Sequence, residues 1–252
     1  MNVAFADLSP WLLLLAPLVM TIAYTVFGLS GFGSTVIAVP ILAHFLPVPY
    51  LVPLMAVLDM VCAAFIGRAN RQDVAVGELK RLIPFMFVGF VIGATVLVGV
   101  PERYLRLALG IFAVGVGVHG IFNPTLHRQI SAWWVVPTGI VGGAIATVFG
   151  AGGPIYATYF GGRLRDKGAL RSTISTLISI SAFSRAIVYA VTGLLLHMSM
   201  LVGGLLLAPF AWLGLKIGQR IHVGLTQQQM RRTVGALLVL TGMSLLARVL
   251  LQ

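Results

Sequence analysis

Eight stretches of this chain run for about twenty residues with hardly a charge among them, the length an α-helix needs to cross about 30 Å of hydrocarbon. They are Trp11 to Gly28, Tyr50 to Ile66, Arg81 to Val100, Tyr104 to Phe122, Trp133 to Gly150, Ser172 to Thr192, Met198 to Ile217 and Met230 to Leu250. Hydrophobic residues fill 59% of the 252 positions and charged ones 9%, with a mean hydropathy of +1.01, more apolar surface than one globular core of this size can hide. The expected fold is all-α, a polytopic protein of the plasma membrane with the lipid bilayer as its surroundings. An outer-membrane barrel would need short alternating strands, and no such alternation is present. Met1 to Pro10 carries only Asp7 as a charge, and the apolar stretch that follows exceeds signal-peptide length, so the first segment is expected to stay as a helix. The formal charge of +11 sits in short loops between apolar segments, a pattern that orients helices in a membrane rather than one that binds nucleic acid. A lone cysteine, Cys62, leaves no intrachain disulfide to form.

Two of the segments close on the same four residues. Thr25-Val26-Phe27-Gly28 leads into Leu29-Ser30-Gly31-Phe32-Gly33-Ser34, and Thr147-Val148-Phe149-Gly150 into Ala151-Gly152-Gly153-Pro154. Trp11 to Pro47 spans 37 residues. As one helix that stretch would be about 55 Å long, nearly twice the hydrocarbon thickness, so the chain must turn back. The reading is a long arm ending at the glycine cluster and a short helix from Ser34 to Phe45, an arrangement repeated over Trp133 to Phe160. The chain then holds eight long transmembrane helices and two short half-helices.

Sliding the sequence by 125 positions lays Pro84-Phe85 on Pro209-Phe210, Gly89 on Gly214, Gly93 on Gly218, Arg106 on Arg231 and Gly110 on Gly235, while a shift of 122 superposes the Thr-Val-Phe-Gly runs. This reads as an internal duplication, residues 1–125 against 126–252. Positive loops trade places between the halves. Arg68, Arg71, Lys80 and Arg81 fill a turn whose counterpart, Gly193 to His197, has no Lys or Arg, whereas Arg163, Arg165, Lys167 and Arg171 match the uncharged Phe45 to Pro49. Five elements per half, an odd number, would invert the second half. That topology gathers these loops with Arg128, Lys216, Arg220, Arg231 and Arg232 at the cytoplasmic face. It leaves Arg103, Arg106, Arg248 and both termini outside.

Unwound backbone at membrane depth is tolerated only within protein or beside a cavity. A helix that starts there offers free N–H groups and a positive dipole end to an anion. Gly31, Gly33, Ser34 and Thr35 are therefore expected to face Gly150, Gly152, Gly153 and Pro154 across a substrate site; the alternative is that these glycines serve only close helix packing. Asp59 and Arg185 lie mid-helix, where a charge costs about 2.5–3.5 kcal/mol. Arg185 would hold an anion and Asp59 could take up a proton to couple the cycle, with a purely structural ion pair as the alternative. Ser172, Thr173, Ser175, Thr176, Ser179, Ser181 and Ser184 make one helix hydroxyl-rich. The histidines lack metal-ligand spacing, and no nucleotide or redox motif is present, so no metal and no cofactor is expected. Ser34 and His44 are the nearest thing to a nucleophile and base, but ten residues apart on a short helix they face each other poorly, and no enzyme is expected.

Gly31-Phe32-Gly33-Ser34 to Pro40, Gly150-Ala151-Gly152-Gly153-Pro154 with Tyr159 after it, and the duplicated half together resemble the TauE/SafE sulfite exporter family, from about Leu12 to Leu250. The first cluster carries Ser34 and Thr35 where the family more often has glycines. The resemblance implies a small secondary transporter that moves sulfur-containing anions such as sulfite or organosulfonates outward. An anion channel built on the same half-helices and a carrier of small carboxylates stay open, as does assembly into a homo-oligomer.

Overall fold

The computed structural model describes residues 10–30, 33–66, 73–122, 130–195, 198–220 and 227–251. These form ten α-helices, α1 Pro10–Ser30, α2 Ser34–Leu42, α3 Val48–Ile66, α4 Val76–Gly99, α5 Glu102–Phe122, α6 Val135–Phe149, α7 Gly153–Arg163, α8 Lys167–Val191, α9 Met198–Arg220 and α10 Gln227–Leu251, with a 3-10 turn over Ala132–Trp134. Seven helical spans are long and apolar enough to cross a membrane, and α3 adds a shorter apolar stretch over Val48–Ala63. The protein is a polytopic membrane protein. The two short helices are those expected. With 9 residues α2 spans about 14 Å, and with 11 residues α7 spans about 17 Å, so each reaches about half-way through the hydrocarbon. The first is shorter than the sequence suggested, because the chain tightens after Leu42 into i→i+3 bonds from His44 to Ile41 and from Phe45 to Leu42, ahead of Pro47.

The two glycine breaks are made differently. Helix α6 ends at Gly150, whose φ of +71° is a left-handed cap. Helix α1, by contrast, runs on past Gly28 to Ser30, and the left-handed residue is Gly33, φ +106°, directly before α2. The first Thr-Val-Phe-Gly run therefore does not close its helix, contrary to the sequence reading. Gly28 serves packing instead: a Cβ there would lie 2.7 Å from the Leu215 carbonyl oxygen and 3.0 Å from the Gly218 Cα of α9.

Three helix pairs pack most closely, α1 with α9, α4 with α6 and α5 with α10. Thr21 and Thr25 of α1 meet Gly214 and Gly218 of α9, and Gly89 and Gly93 of α4 meet Gly143, Ala144 and Thr147 of α6, so both pairs run parallel. In the α5–α10 pair, Gly110 faces Gly242 and Gly117 faces Gly235, so these helices run antiparallel. Exchanging each residue for the one 125 positions away turns the first of those contacts into the second. Eight simply alternating spans would make α5 and α10 parallel. At one end of the bundle Arg163 pairs with Glu78 and Arg171 donates to the Leu29 carbonyl; at the other Arg248 donates to the His44 carbonyl. Lys80, Arg81, Arg163, Arg165, Arg171, Lys216, Arg220 and Arg232 fall at the first end, and Arg103, Arg106 and Arg248 at the second. The expected loop residues Arg68, Arg71 and Arg128 lie outside the described residues.

Such close approach depends on missing side chains. Gly218→Ala would drive a Cβ into the Thr25 carbonyl oxygen and Gly28, backbone that cannot rotate aside. The expected cost is about 1–3 kcal/mol, read as a lowered midpoint of thermal denaturation in detergent.

Candidate anion site

Helix α3 carries Asp59 into the centre of the bundle, where the residue is 3% exposed. A bare carboxylate there would be prohibitively costly, so its oxygens are covered by donors from three other helices. Tyr24 of α1 donates its hydroxyl to Oδ1 at 2.8 Å, Ser34 of α2 donates to the same oxygen at 2.8 Å, and Thr35 donates to Oδ2 at 3.1 Å. The fourth donor is the Nη2 of Arg185 on α8, 3.4 Å from Oδ2. The half-helix α2 begins with two hydroxyl residues because its first turn has a carboxylate to hold. Its amides at Ser34, Thr35 and Val36 precede the first i→i−4 bond, from Ile37 to Gly33, so the positive end of α2 also lies toward Asp59.

Arg185 is equally buried, at 2% exposed. It donates Nη1 to the Ala146 carbonyl at 2.9 Å, one turn before α6 ends, and Tyr189, one turn along α8, donates to the Thr147 carbonyl at 2.6 Å. Those contacts fasten α8 to the end of α6 close to the second break. On the residues that line the cavity, two buried polar atoms reach no partner among the described residues: the Nε of Arg185 and the hydroxyl oxygen of Tyr156 on α7.

The two breaks touch. A Cβ on Gly150 would collide with the Thr35 Cγ2, so the end of α6 lies against the first turn of α2. Between them is a cavity with room for about 20 Å³ of water centres, lined by Gly33, Ser34, Thr35, Asp59, Gly150, Gly152, Gly153, Tyr156, Ser181 and Arg185, with Phe27, Val36, Ala146 and Ile178 as its apolar wall. That is about one water molecule. The wall thus contains eight of the ten residues expected from the sequence. Pro154 is not among them: it sits in the first turn of α7, where its missing N–H costs nothing, and starts the helix without facing the cavity. Gly31 lies outside the described residues. Ser34 and His44 do not come together, since the Ser34 hydroxyl is committed to Asp59 and the His44 Nε2 to Ser244, 3.1 Å away.

Residues 16–245 match the family model described as sulfite exporter TauE/SafE. The chain belongs to that family. It is also similar to the probable inner membrane transporter protein TsaS of Comamonas testosteroni, 24% identical over 194 residues that cover 76% of this chain and 81% of the relative. No solved structure matches. A transporter is what the family and this relative indicate, and the fold agrees with it.

For this TauE/SafE member the sequence pointed to the breaks, to both charges and to Ser34 and Thr35, but not to Tyr24 on Asp59 or to Tyr156 in the cavity wall. Tyr24 directly precedes the first Thr-Val-Phe-Gly run, and Tyr156 stands two residues after Pro154; a phenol in mid-membrane beside a break was the available signal. Tyr159, singled out with the family pattern, is elsewhere: it donates to Glu78 beside the Arg163 ion pair at the bundle's basic end. Of the seven hydroxyl residues on α8, Ser181 reaches the cavity wall. Thr176 and Ser179 bond back to carbonyls one turn earlier, and Thr173 accepts from the Ala75 amide.

Proposed function

We propose that this protein is a secondary transporter of small sulfur-containing anions, sulfite or organosulfonates, exporting them across the inner membrane by alternating access at the cavity between α2 and α7. The observation that carries the reading is a buried arginine, one of whose donors has no partner among the described residues, in the wall of a cavity where two helix breaks meet. A cavity of about 20 Å³ is too small for sulfite. Admitting an anion therefore requires the cavity to widen, by the two halves, residues 1–125 and 126–252, rocking apart. The antiparallel α5–α10 pair favours halves of inverted topology, with the basic end of the bundle in the cytoplasm. A reporter fused after Gln252 is expected outside the membrane, and a cytoplasmic C-terminus would refute that topology.

Charge balance supports a proton as the coupling ion. Arg185 and Asp59 cancel, so a monoanion entering alone leaves one uncompensated negative charge in hydrocarbon. A proton on Asp59 restores neutrality. The groups around that carboxylate are Tyr24, Ser34, Thr35, Arg185 and, one turn along α3, Cys62; Asp59 is the carboxylate in the cavity wall.

The test is binding to the purified protein, read by thermal stabilisation against sulfite, thiosulfate, methanesulfonate and acetate. The sulfur oxyanions are expected to raise the midpoint in a saturable way. Stabilisation by acetate alone, or by none of the four, would overturn the substrate assignment.

A further inference from the structure

The two half-helix tips at the cavity are not equivalent. The tip of α2 already holds an anion, because the hydroxyls of Ser34 and Thr35 and that of Tyr24 all donate to Asp59 of the same half. The tip of α7 has no such occupant. Where α3 presents the carboxylate of Asp59 to the cavity, α8 presents Ile178, Ser181 and the cationic Arg185, and no carboxylate. Both cavity-lining residues that carry an orphaned donor, Tyr156 on α7 and Arg185 on α8, belong to this second side. The Tyr156 hydroxyl, in the first turn of α7 on a residue 1% exposed, has no partner, and neither does the Nε of Arg185, on a residue 2% exposed. Gly152 and Gly153 open α7 beside them, and Gly152 is held where a Cβ would lie 2.9 Å from the Tyr156 ring, so the backbone passes close under the phenol.

Resting on the transport reading above, we infer that the substrate anion binds on the α7 side alone, its oxygens accepting from Tyr156 Oη–H, Arg185 Nε–H and the amides that open α7, while the Asp59 carboxyl, anionic until the coupling proton joins it, fills the matching place on the α2 side. An unpaired donor buried in hydrocarbon is costly. Two of them on residues of one cavity wall, beside the start of α7, mark a place that a ligand completes. The ligand class is an oxyanion with at least two acceptor oxygens close together, since Nε–H and the phenol must both be satisfied. The α2 tip contributes by fixing Asp59, and so by fixing the Arg185 side chain that Asp59 holds, rather than by touching the anion.

The experiment compares Tyr156→Phe with Ser34→Ala in the full-length protein, measuring affinity for sulfite and for methanesulfonate by calorimetry and the unliganded midpoint by thermal denaturation. Tyr156→Phe removes a hydroxyl with no protein partner, so the unliganded midpoint is expected to stay within about 1 °C while both affinities fall at least tenfold. Ser34→Ala is expected to weaken binding less than threefold, since Tyr24 still donates to the same Asp59 oxygen. Equal losses in the two variants, or a larger loss in Ser34→Ala, would overturn the one-sided site and restore a cradle shared by both tips. A fall of several degrees in the unliganded midpoint of Tyr156→Phe would overturn it as well, by showing that the hydroxyl serves the fold. Failure of the wild-type protein to bind either probe would sink the transport reading itself, a result distinct from unequal or misplaced losses among the variants.

Discussion

Replacing Arg185 with Gln is expected to stop transport and to lower stability by about 3 kcal/mol or more. The reason is Asp59. Removing one partner of a buried ion pair leaves the other charge without its counter-charge, at a typical cost of about 3–5 kcal/mol. Three hydroxyl donors remain on the carboxylate, which places the expected loss toward the lower end of that range. The contact from Arg185 to the Ala146 carbonyl is lost as well, loosening α8 from the end of α6. The double variant Asp59→Asn with Arg185→Gln separates structure from function. With both charges gone, much of the stability is expected to return, because two neutral polar side chains in the same space need no counter-charge. Transport is expected to stay absent, since neither the proposed partner of the anion nor the proposed carrier of the proton is left. Proteoliposome uptake and thermal denaturation, measured on the same preparations, check both halves of this statement. A double variant that transports at wild-type rates would mean that the pair only holds α3 against α8.

The second large effect is expected at Gly150→Ala. Two penalties coincide at this position. The residue is left-handed, φ +71°, a conformation that costs a residue with a Cβ about 1–2 kcal/mol. The added methyl also points straight at the Thr35 Cγ2. Thr35 is the first-turn residue of α2 that holds the second oxygen of Asp59, so relief of the clash moves a donor off the carboxylate. The variant is expected to fold with reduced stability and to lose at least nine-tenths of its transport rate. Gly161→Ala is the control. It lies on α7, the short helix that follows Gly150, with nothing among the described residues within 4 Å of where its Cβ would be, and alanine favours a helix by about 1 kcal/mol over glycine. Its stability and transport are expected to match or slightly exceed wild type. A Gly150→Ala protein as active as Gly161→Ala would show that the contact between the two breaks is dispensable.

The difference between those glycines explains what the sequence could and could not reveal. Long apolar segments declare themselves because lipid leaves a helix as the only way to satisfy the backbone, so the eight long helices and the two shorter ones were legible from hydropathy and segment length. The chemistry of the site was legible where the residue type is costly in hydrocarbon. Asp59 and Arg185 stand out against their neighbours for that reason, and the structure brings them to 3.4 Å. The meaning of Gly28 was not legible. A glycine that turns a chain and one that admits a neighbouring backbone look identical in sequence, because both are read only as the lack of a side chain. Which role Gly28 plays is decided by α9, nearly two hundred residues away, whose Leu215 carbonyl occupies the space. The same limit applies to Pro154, which starts α7 but turns away from the cavity. It applies also to Tyr156, whose importance comes from having nothing to bond to in a crowded interior.

The transport proposed for this protein requires one anion site that opens to each side of the membrane in turn. Solute counterflow tests that most directly: proteoliposomes loaded with unlabelled sulfite are diluted into a trace of labelled sulfite, with no imposed ion gradient. A carrier is expected to accumulate label transiently above its equilibrium level, and Arg185→Gln is expected to abolish the overshoot. A monotonic approach to equilibrium with no overshoot in the wild-type protein, at a rate that does not saturate with sulfite, would describe a channel and contradict the alternating-access site.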